Sequence, residues 1–227
     1  IIMSSTLSSL NTVKRGTGVC RPDVSVLYTD VVKVGDRSGS MSTTKGGSQE
    51  GAVAYMEEHK VTAEKLKPLL GAHLEFVSFD NTSEILYSGE AVDLTDDDLI
   101  RVSKEMAPRG ATRLFDTINP GLIATSCAIM TDGLDNRSAH TIEDCKNLIE
   151  IYKEKYCGTA MFIGANIDSE STAMSFGING NLSLQMGSDR TSSIGAARAV
   201  AAAQSRSIST PHYASGSLSG CPLPSFT

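Results

Sequence analysis

The residues with the clearest chemical potential are oxygen donors at alternate positions of one short segment. Asp36, Ser38 and Ser40 lie in the run Asp-Arg-Ser-Gly-Ser, directly after a valine-rich stretch that predicts a β-strand. In an open α/β sheet, ligands bind at the carboxyl ends of the strands. A carboxylate and two hydroxyls are hard oxygen ligands, suited to a hard divalent cation such as Mg²⁺. This segment therefore predicts a metal site.

Two later segments offer further oxygen ligands. Thr112 lies in Arg-Gly-Ala-Thr-Arg, residues 109–113, and Asp132 lies in Ile-Met-Thr-Asp-Gly, residues 129–133. Asp132 comes where a predicted strand turns into a loop, which is again the expected edge of the sheet. A simpler interpretation is that the first segment only caps a helix, but capping requires neither Thr112 nor Asp132.

Taken together, the three segments resemble the von Willebrand factor A domain with its metal-ion-dependent adhesion site. In that family the first strand ends in Asp-x-Ser-x-Ser, a threonine comes from a later loop, and an aspartate follows the fourth strand. A further segment, Phe-Ile-Gly-Ala-Asn-Ile-Asp, is similar to a compact intracellular branch of the family seen in bacteria and viruses. The resemblance covers residues 24 to about 205. The family motif maps onto Asp36, Ser38, Ser40, Thr112 and Asp132.

The resemblance implies binding through a metal ion rather than catalysis, and it implies no catalytic residues. In the family, the serines and in some states the threonine contact the metal, the aspartates act largely through water, and a partner carboxylate completes the shell. The expected ion is Mg²⁺, with Mn²⁺ or Ca²⁺ as alternatives, and the expected ligand is a protein that presents Asp or Glu. Arg109 and Arg113 flank Thr112, either as a cationic rim that steers an acidic partner or as surface ion pairs.

The fold prediction rests on short β-branched runs that alternate with helical stretches between residues 23 and 206. This pattern is typical of an α/β, Rossmann-like, doubly wound fold with a mostly parallel sheet and helices on both faces. Residues 24–34 predict the first strand and residues 48–70 a long helix. Residues 72–79 and 83–88 predict a hairpin that gives the sheet one antiparallel edge strand.

The two ends of the chain differ in composition from the predicted domain. Residues 1–22 are rich in serine and threonine, and residues 207–227 are rich in serine and proline, so we predict an N-terminal arm and a C-terminal tail. Such arms can also lie on neighbouring subunits. This leaves an alternative function, a structural component of a large assembly such as a virus or cellular particle, in which the metal is incidental.

Composition argues against several classes of protein. The net charge of −6, with dispersed Lys and Arg, argues against a nucleic-acid partner, and the sequence lacks the run of about 18 apolar residues that predicts a membrane span. Five cysteines without a Cys-x-x-Cys pair, and no recognisable signal sequence, favour a cytoplasmic or other intracellular location, with a particle or virion as an alternative. A metal-dependent hydrolase remains a weaker alternative.

Several residues near the motif carry their own predictions. Lys33 and Gly35 interrupt the otherwise apolar first strand, so Lys33 requires a route to solvent or a partner. Met41 is predicted to pack the motif loop down. His59 is predicted on a helix surface. The run at residues 119–121, Asn-Pro-Gly, indicates a helix stop and therefore a short helix.

Overall fold

The structure, a computed structural model, describes five ranges of the chain: residues 27–67, 70–121, 126–133, 135–156 and 158–209. The predicted N-terminal arm, residues 1–22, lies outside these ranges. Of the predicted tail, only the backbone of residues 207–209 lies inside them, within the last helix. The arm and tail predictions therefore stay predictions.

Within the described ranges, six strands form one sheet. They are β1 (Leu27–Asp36), β2 (Leu70–Phe79), β3 (Ser83–Glu90), β4 (Ser126–Thr131), β5 (Thr159–Ala165) and β6 (Ser183–Met186). Their order is β3-β2-β1-β4-β5-β6. Only β3 runs antiparallel to its neighbour, because a short hairpin turn joins it to β2. The predicted fold class is confirmed.

Helices cover both faces of the sheet. They are α1 (Gly47–Leu66), α2 (Asp96–Glu105), α3 (Leu114–Gly121), α4 (Ile142–Tyr156), α5 (Ser169–Ser175) and α6 (Arg190–Ser209). Helices α1, α2 and α6 lie on one face, and α3, α4 and α5 lie on the other. None of the helices in the described ranges combines the length and apolar character that a membrane span needs.

The observed element bounds differ from the predicted ones where proline and strand register intervene. Helix α1 ends at Leu66, four residues before the predicted end, because Pro68 disfavours the helical conformation at Lys67. Lys67 is extended, with ψ of 133°. Strand β1 continues to Asp36 because its pairing with β2 extends to that residue. Helix α3 is short, as predicted.

Local hydrogen bonds explain where two of the helices begin. The Thr95 hydroxyl accepts from the Asp98 amide, and the Asp98 carboxylate accepts in return from the Thr95 amide. Thr141 and Asp144 repeat this capping box at the start of α4. Each pair satisfies amide groups that a helix N-terminus otherwise leaves without partners.

The core confirms one local prediction and overturns another. Met41 is fully buried and packs the loop after β1 against the domain, as expected. The prediction for His59 is wrong, because α6 covers the face of α1 on which His59 lies. Its Nε2 is 3.4 Å from Gln204 Oε1, and its ring centroid is 4.6 Å from that of Tyr55.

Candidate metal-ion site

The candidate site lies at the point where the strand order reverses. From β1 the chain crosses to β2 on one side, whereas β4 leads to β5 on the other side. Loops diverge at such a switch point and leave a crevice at the carboxyl ends of the two central strands. Asp36 ends β1, and Thr131 ends β4 with Asp132 next in sequence. The fold therefore brings Asp36 and Asp132 to the same edge.

The metal loop, residues 36–40, is shaped by its own hydrogen bonds. Asp36 Oδ1 accepts from the Ser38 amide at 2.7 Å, and the Ser38 carbonyl accepts from the Met41 amide at 3.1 Å. These bonds turn the chain into the short 3₁₀ helix Gly39–Thr44. The Ser38 and Ser40 hydroxyl oxygens lie 3.0 Å apart. Two predicted ligands thus converge.

The second carboxylate oxygen of Asp36 is held from the neighbouring strand. Thr131 Oγ1 donates to Asp36 Oδ2 at 2.7 Å and accepts from the Gly133 amide at 3.0 Å. Burial raises the pKa of Asp36 to about 6; the hydrogen bonds from Thr131 and Ser38 lower it, and the charge of Asp132 raises it. Sequence reasoning missed Thr131, although its place directly before Asp132 at a strand end was a usable signal.

Asp132 supplies the observation that tests whether a cation fits this place. The residue is buried, and its Oδ1 has no hydrogen-bond partner among the described residues. A buried carboxylate oxygen left unsatisfied costs free energy that a cation or an ordered water would recover. No three His, Cys, Asp or Glu side chains of the described residues group into a metal site, so the candidate set relies on two carboxylates and three hydroxyls.

The threonine loop, residues 109–113, is joined to the metal loop and to Asn136, which lies beyond the Asp132 segment. The Thr112 amide donates to Asn136 Oδ1 at 3.1 Å, and the Asn136 amide donates to the Thr112 carbonyl at 3.1 Å. On the other side, the Gly39 amide donates to the Gly110 carbonyl at 3.1 Å. Gly110 has a φ of +72°, which favours glycine. The structure therefore brings the three predicted segments together.

Both arginines that flank Thr112 pair with carboxylates of the chain itself. Arg109 Nε donates to Asp80 Oδ2 at 2.9 Å, and Arg113 Nε donates to Asp116 Oδ2 at 3.0 Å. The ion-pair interpretation is thus what the geometry shows. The Arg109 side chain is still 53 % exposed, and its role in a partner-binding rim stays a prediction, as does that of Arg113.

Comparison with known proteins yields similarity in structure and none in sequence. No protein-family model matches the chain, and no curated protein matches it. Among solved structures, the pilus adhesin SpaC of Lactobacillus rhamnosus GG has a TM-score of 0.60 and 13 % identity over 81 % of this chain and 30 % of its own. A von Willebrand factor type A protein of Catenulispora acidiphila has a TM-score of 0.55 and 17 % identity over 78 % of this chain and 43 % of its own.

A third solved structure contains a bound metal. Proximal thread matrix protein 1 of the mussel byssus, with a zinc-occupied MIDAS motif, has a TM-score of 0.57 and 16 % identity over 82 % of this chain and 48 % of its own. The chain therefore spans less than half the length of each of these three proteins. At such low identity the likeness concerns the fold alone. The chain has the fold of a von Willebrand factor A domain.

Proposed function

We propose that this chain is a non-enzymatic protein-binding module that engages an acidic residue of a protein partner through a divalent cation. The residues that would hold the ion are Asp36, Ser38, Ser40, Thr112 and Asp132. The observation that carries the proposal is the unsatisfied Oδ1 of Asp132 beside buried Asp36, at the switch point of the sheet. Two neighbouring buried carboxylates favour a cation between them.

The donor set fits Mg²⁺ and leaves Mn²⁺ or Ca²⁺ as alternatives. When bound, the ion would supply a Lewis-acid position for the partner's Asp or Glu carboxylate. Ser38 and Ser40 offer neutral oxygens, so little of the ion's positive charge would be offset by direct ligands. Thr131 fixes the orientation of Asp36. A pilus adhesin and a matrix protein with a zinc-occupied MIDAS motif are among the proteins of similar fold, which supports this kind of function.

We further propose a reducing, intracellular location. Within the described residues, Cys127 and Cys145 are free thiols, and both are buried. Buried thiols of this kind behave as small apolar side chains. This supports the compositional argument, although Cys20, Cys157 and Cys221 lie outside the described residues.

The decisive experiment is a calorimetric titration of Mg²⁺, and separately of Mn²⁺, into chelator-treated protein. We expect saturable binding that is lost in the Ser38→Ala/Ser40→Ala double variant, because both converging hydroxyls are removed. Ser42→Ala is the matched control, since Ser42 lies exposed in the same 3₁₀ helix and is outside the predicted ligand set. Folded wild-type protein that binds neither ion would contradict the proposal.

The assembly alternative makes a different prediction for partner binding. A metal-dependent module should release its partner on chelation or in the Asp36→Ala variant. An assembly held by its arms should instead fail when residues 1–22 or 207–227 are removed, and it should be insensitive to chelation. Partner retention in chelator, together with loss on trimming, would favour the structural role.

A further inference from the structure

We propose that Asp80 is a positioning residue that fixes the metal loop and the threonine loop relative to each other. This inference rests on the proposed metal-binding function, because the relative position of the loops matters to function only if both loops hold one ion. Asp80 belongs to neither loop and is not among the predicted ligands. It lies in the turn between β2 and β3, residues 80–82, which sequence reasoning identified only as a hairpin link.

The Asp80 carboxylate is fixed on one side and shared on the other. The residue is only 5 % exposed, and its Oδ1 accepts from the Thr82 amide at 3.0 Å. Its Oδ2 accepts from two guanidinium groups, Arg37 Nε at 3.1 Å and Arg109 Nε at 2.9 Å. Burial raises the pKa of Asp80, but the hydrogen bonds from Thr82 and Arg109 and the charge of Arg37 outweigh it and lower the pKa.

Arg37 connects this carboxylate to the metal loop. It stands between Asp36 and Ser38 in sequence, its side chain is 1 % exposed, and its amide donates to the Phe79 carbonyl at 2.9 Å. Its remaining guanidinium nitrogens donate to Glu84 Oε2 at 2.9 Å and to the Glu105 carbonyl at 3.1 Å. The guanidinium is thus held at several points, and it anchors the segment that carries the metal-site serines.

Arg109 connects the same carboxylate to the threonine loop. Its amide donates to the Arg37 carbonyl at 2.6 Å, so the two arginines are joined by backbone as well as through Asp80. The Asp80 backbone also participates, because its carbonyl accepts from the Arg113 amide at 3.1 Å. Asp80 therefore binds the threonine loop at both ends, before and after Thr112.

The side chain of the next turn residue completes the connection. Asn81 Oδ1 accepts from the Ala111 amide at 3.1 Å, and the Asn81 carbonyl accepts from Arg113 Nη1 at 3.3 Å. The turn thus connects, through hydrogen bonds, two loops that are about seventy positions apart in the sequence. Neutral hydroxyl ligands bind a cation weakly unless their positions are fixed beforehand, so these hydrogen bonds should matter for metal affinity.

The first test needs no metal. In chelator-treated protein, hydrogen exchange at the Gly39 and Arg109 amides reports the two bonds that join the loops. Asp80→Asn keeps the shape of the side chain and removes its charge, and we expect exchange at both amides to rise about tenfold or more. The matched control is Asp98→Asn, which loses a capping carboxylate paired with Arg101 and should leave both amides unchanged. Equal exchange in wild type and Asp80→Asn would overturn the inference.

The second test uses Mn²⁺ as the probe. We expect Asp80→Asn to weaken Mn²⁺ affinity about tenfold and to change the electron paramagnetic resonance spectrum of bound Mn²⁺, whereas Asp98→Asn should leave both unchanged. Asp80→Glu, which keeps the charge, should recover part of the affinity. Unchanged affinity with faster exchange would overturn the positioning role. Wild-type protein that binds no Mn²⁺ would instead contradict the proposed function, and the exchange result would still decide whether Asp80 holds the loops.

A second variant, Arg109→Gln, tests the inference if Asp80→Asn does not fold. Arg109→Gln changes a half-exposed side chain and removes one of the two bonds to Asp80 Oδ2. We expect the amide of residue 109 to exchange faster and Mn²⁺ affinity to fall by a smaller factor, about threefold, because Arg37 still holds Asp80. If Asp80→Asn does not fold, unchanged exchange and affinity in Arg109→Gln would overturn the inference.

Discussion

Strand β1 and the loop that follows it carry two buried cationic side chains that the fold accommodates in opposite ways. Arg37, at the carboxyl end of β1, is surrounded by acceptors: it pairs with Asp80 and Glu84, and it donates to the Glu105 carbonyl. Lys33, four positions earlier, is 0 % exposed and has no ion pair among the described residues. A buried charge is costly unless it is paired and hydrogen-bonded.

Lys33 lies in a largely apolar and aromatic environment. Its Nζ is 3.5 Å from the Gly51 carbonyl oxygen, 4.5 Å from the Tyr55 ring centroid and 5.5 Å from that of Phe76. Burial lowers the pKa of Lys33 to about 7 and, chiefly for the same reason, that of nearby His59 to about 4. The fold therefore neutralises charge in the core and compensates it with partners at the edge.

This contrast separates two uses of buried polar groups. At the edge of the sheet, pairing keeps Arg37 charged and ties several elements to one loop, which suits a site that must keep its geometry. In the core, Lys33 has no carboxylate partner in the part of the chain that the structure describes, so its burial adds a cost to folding. Removing the positive charge of Arg37 should therefore lower stability, and removing that of Lys33 should raise it.

The largest effect is expected for Arg37→Met. The change leaves buried Asp80 with one guanidinium partner instead of two and removes the charged donor to the Glu105 carbonyl, so we expect unfolding free energy to fall by about 3 kcal/mol. Urea denaturation of the metal-free protein measures this. Arg198→Met is the control, because Arg198 is exposed and lies 3.8 Å from Glu57, and such a surface pair contributes about 0–1 kcal/mol. A loss of unfolding free energy no larger than in Arg198→Met would show that buried Arg37 contributes no more than a surface ion pair.

The opposite sign is expected for Lys33→Met at pH 7. The variant removes a buried amine that has no ion pair among the described residues and keeps the volume, so we expect stability to rise by about 2 kcal/mol. Exposed Lys104 supplies the control Lys104→Met, which should change stability by less than about 0.5 kcal/mol. Lower stability of Lys33→Met in urea at pH 7 would show that Lys33 supports the core.

The stability difference between Lys33→Met and wild type should also depend on pH. Lys33 has an ordinary pKa of 10.5 and a folded value of about 7. Between these values the unfolded chain binds more protons than the folded chain, so wild-type stability should rise with pH. The advantage of Lys33→Met should therefore be largest at and below pH 7 and shrink by about 1 kcal/mol or more towards pH 9. A difference between the two proteins that is constant with pH would contradict the neutralisation of Lys33.

The smallest effect is expected for Tyr55→Phe, beside Lys33. The Tyr55 hydroxyl donates to Gln204 Oε1 at 2.5 Å, and His59 Nε2 lies 3.4 Å from the same oxygen. Because His59 can still donate a hydrogen bond to that oxygen, we expect urea denaturation to show a loss of about 1 kcal/mol in unfolding free energy. A loss as large as that of Arg37→Met would show that the core network, too, depends on full pairing.

Local chemistry made much of this protein predictable from its sequence. The alternate oxygens of Asp36, Ser38 and Ser40 fall within one loop, and the capping boxes at Thr95 and Thr141 fall within one helical turn. Strand and helix patterns are likewise properties of neighbouring residues. For this reason the fold class and the hairpin edge were correctly predicted, and most element bounds were right to within a few residues.

Tertiary structure decided which distant groups meet. Thr131 reaches Asp36 because β1 and β4 are neighbours in register, and Asp80 reaches Arg37 and Arg109 because a hairpin turn lies between their loops. His59 is buried only because α6 packs on α1. The sequence by itself determined which elements form and where oxygen-bearing side chains cluster along the chain; the packing of distant strands and helices decided which charges are paired and which are neutralised, because burial and pairing depend on neighbours that are remote in the chain.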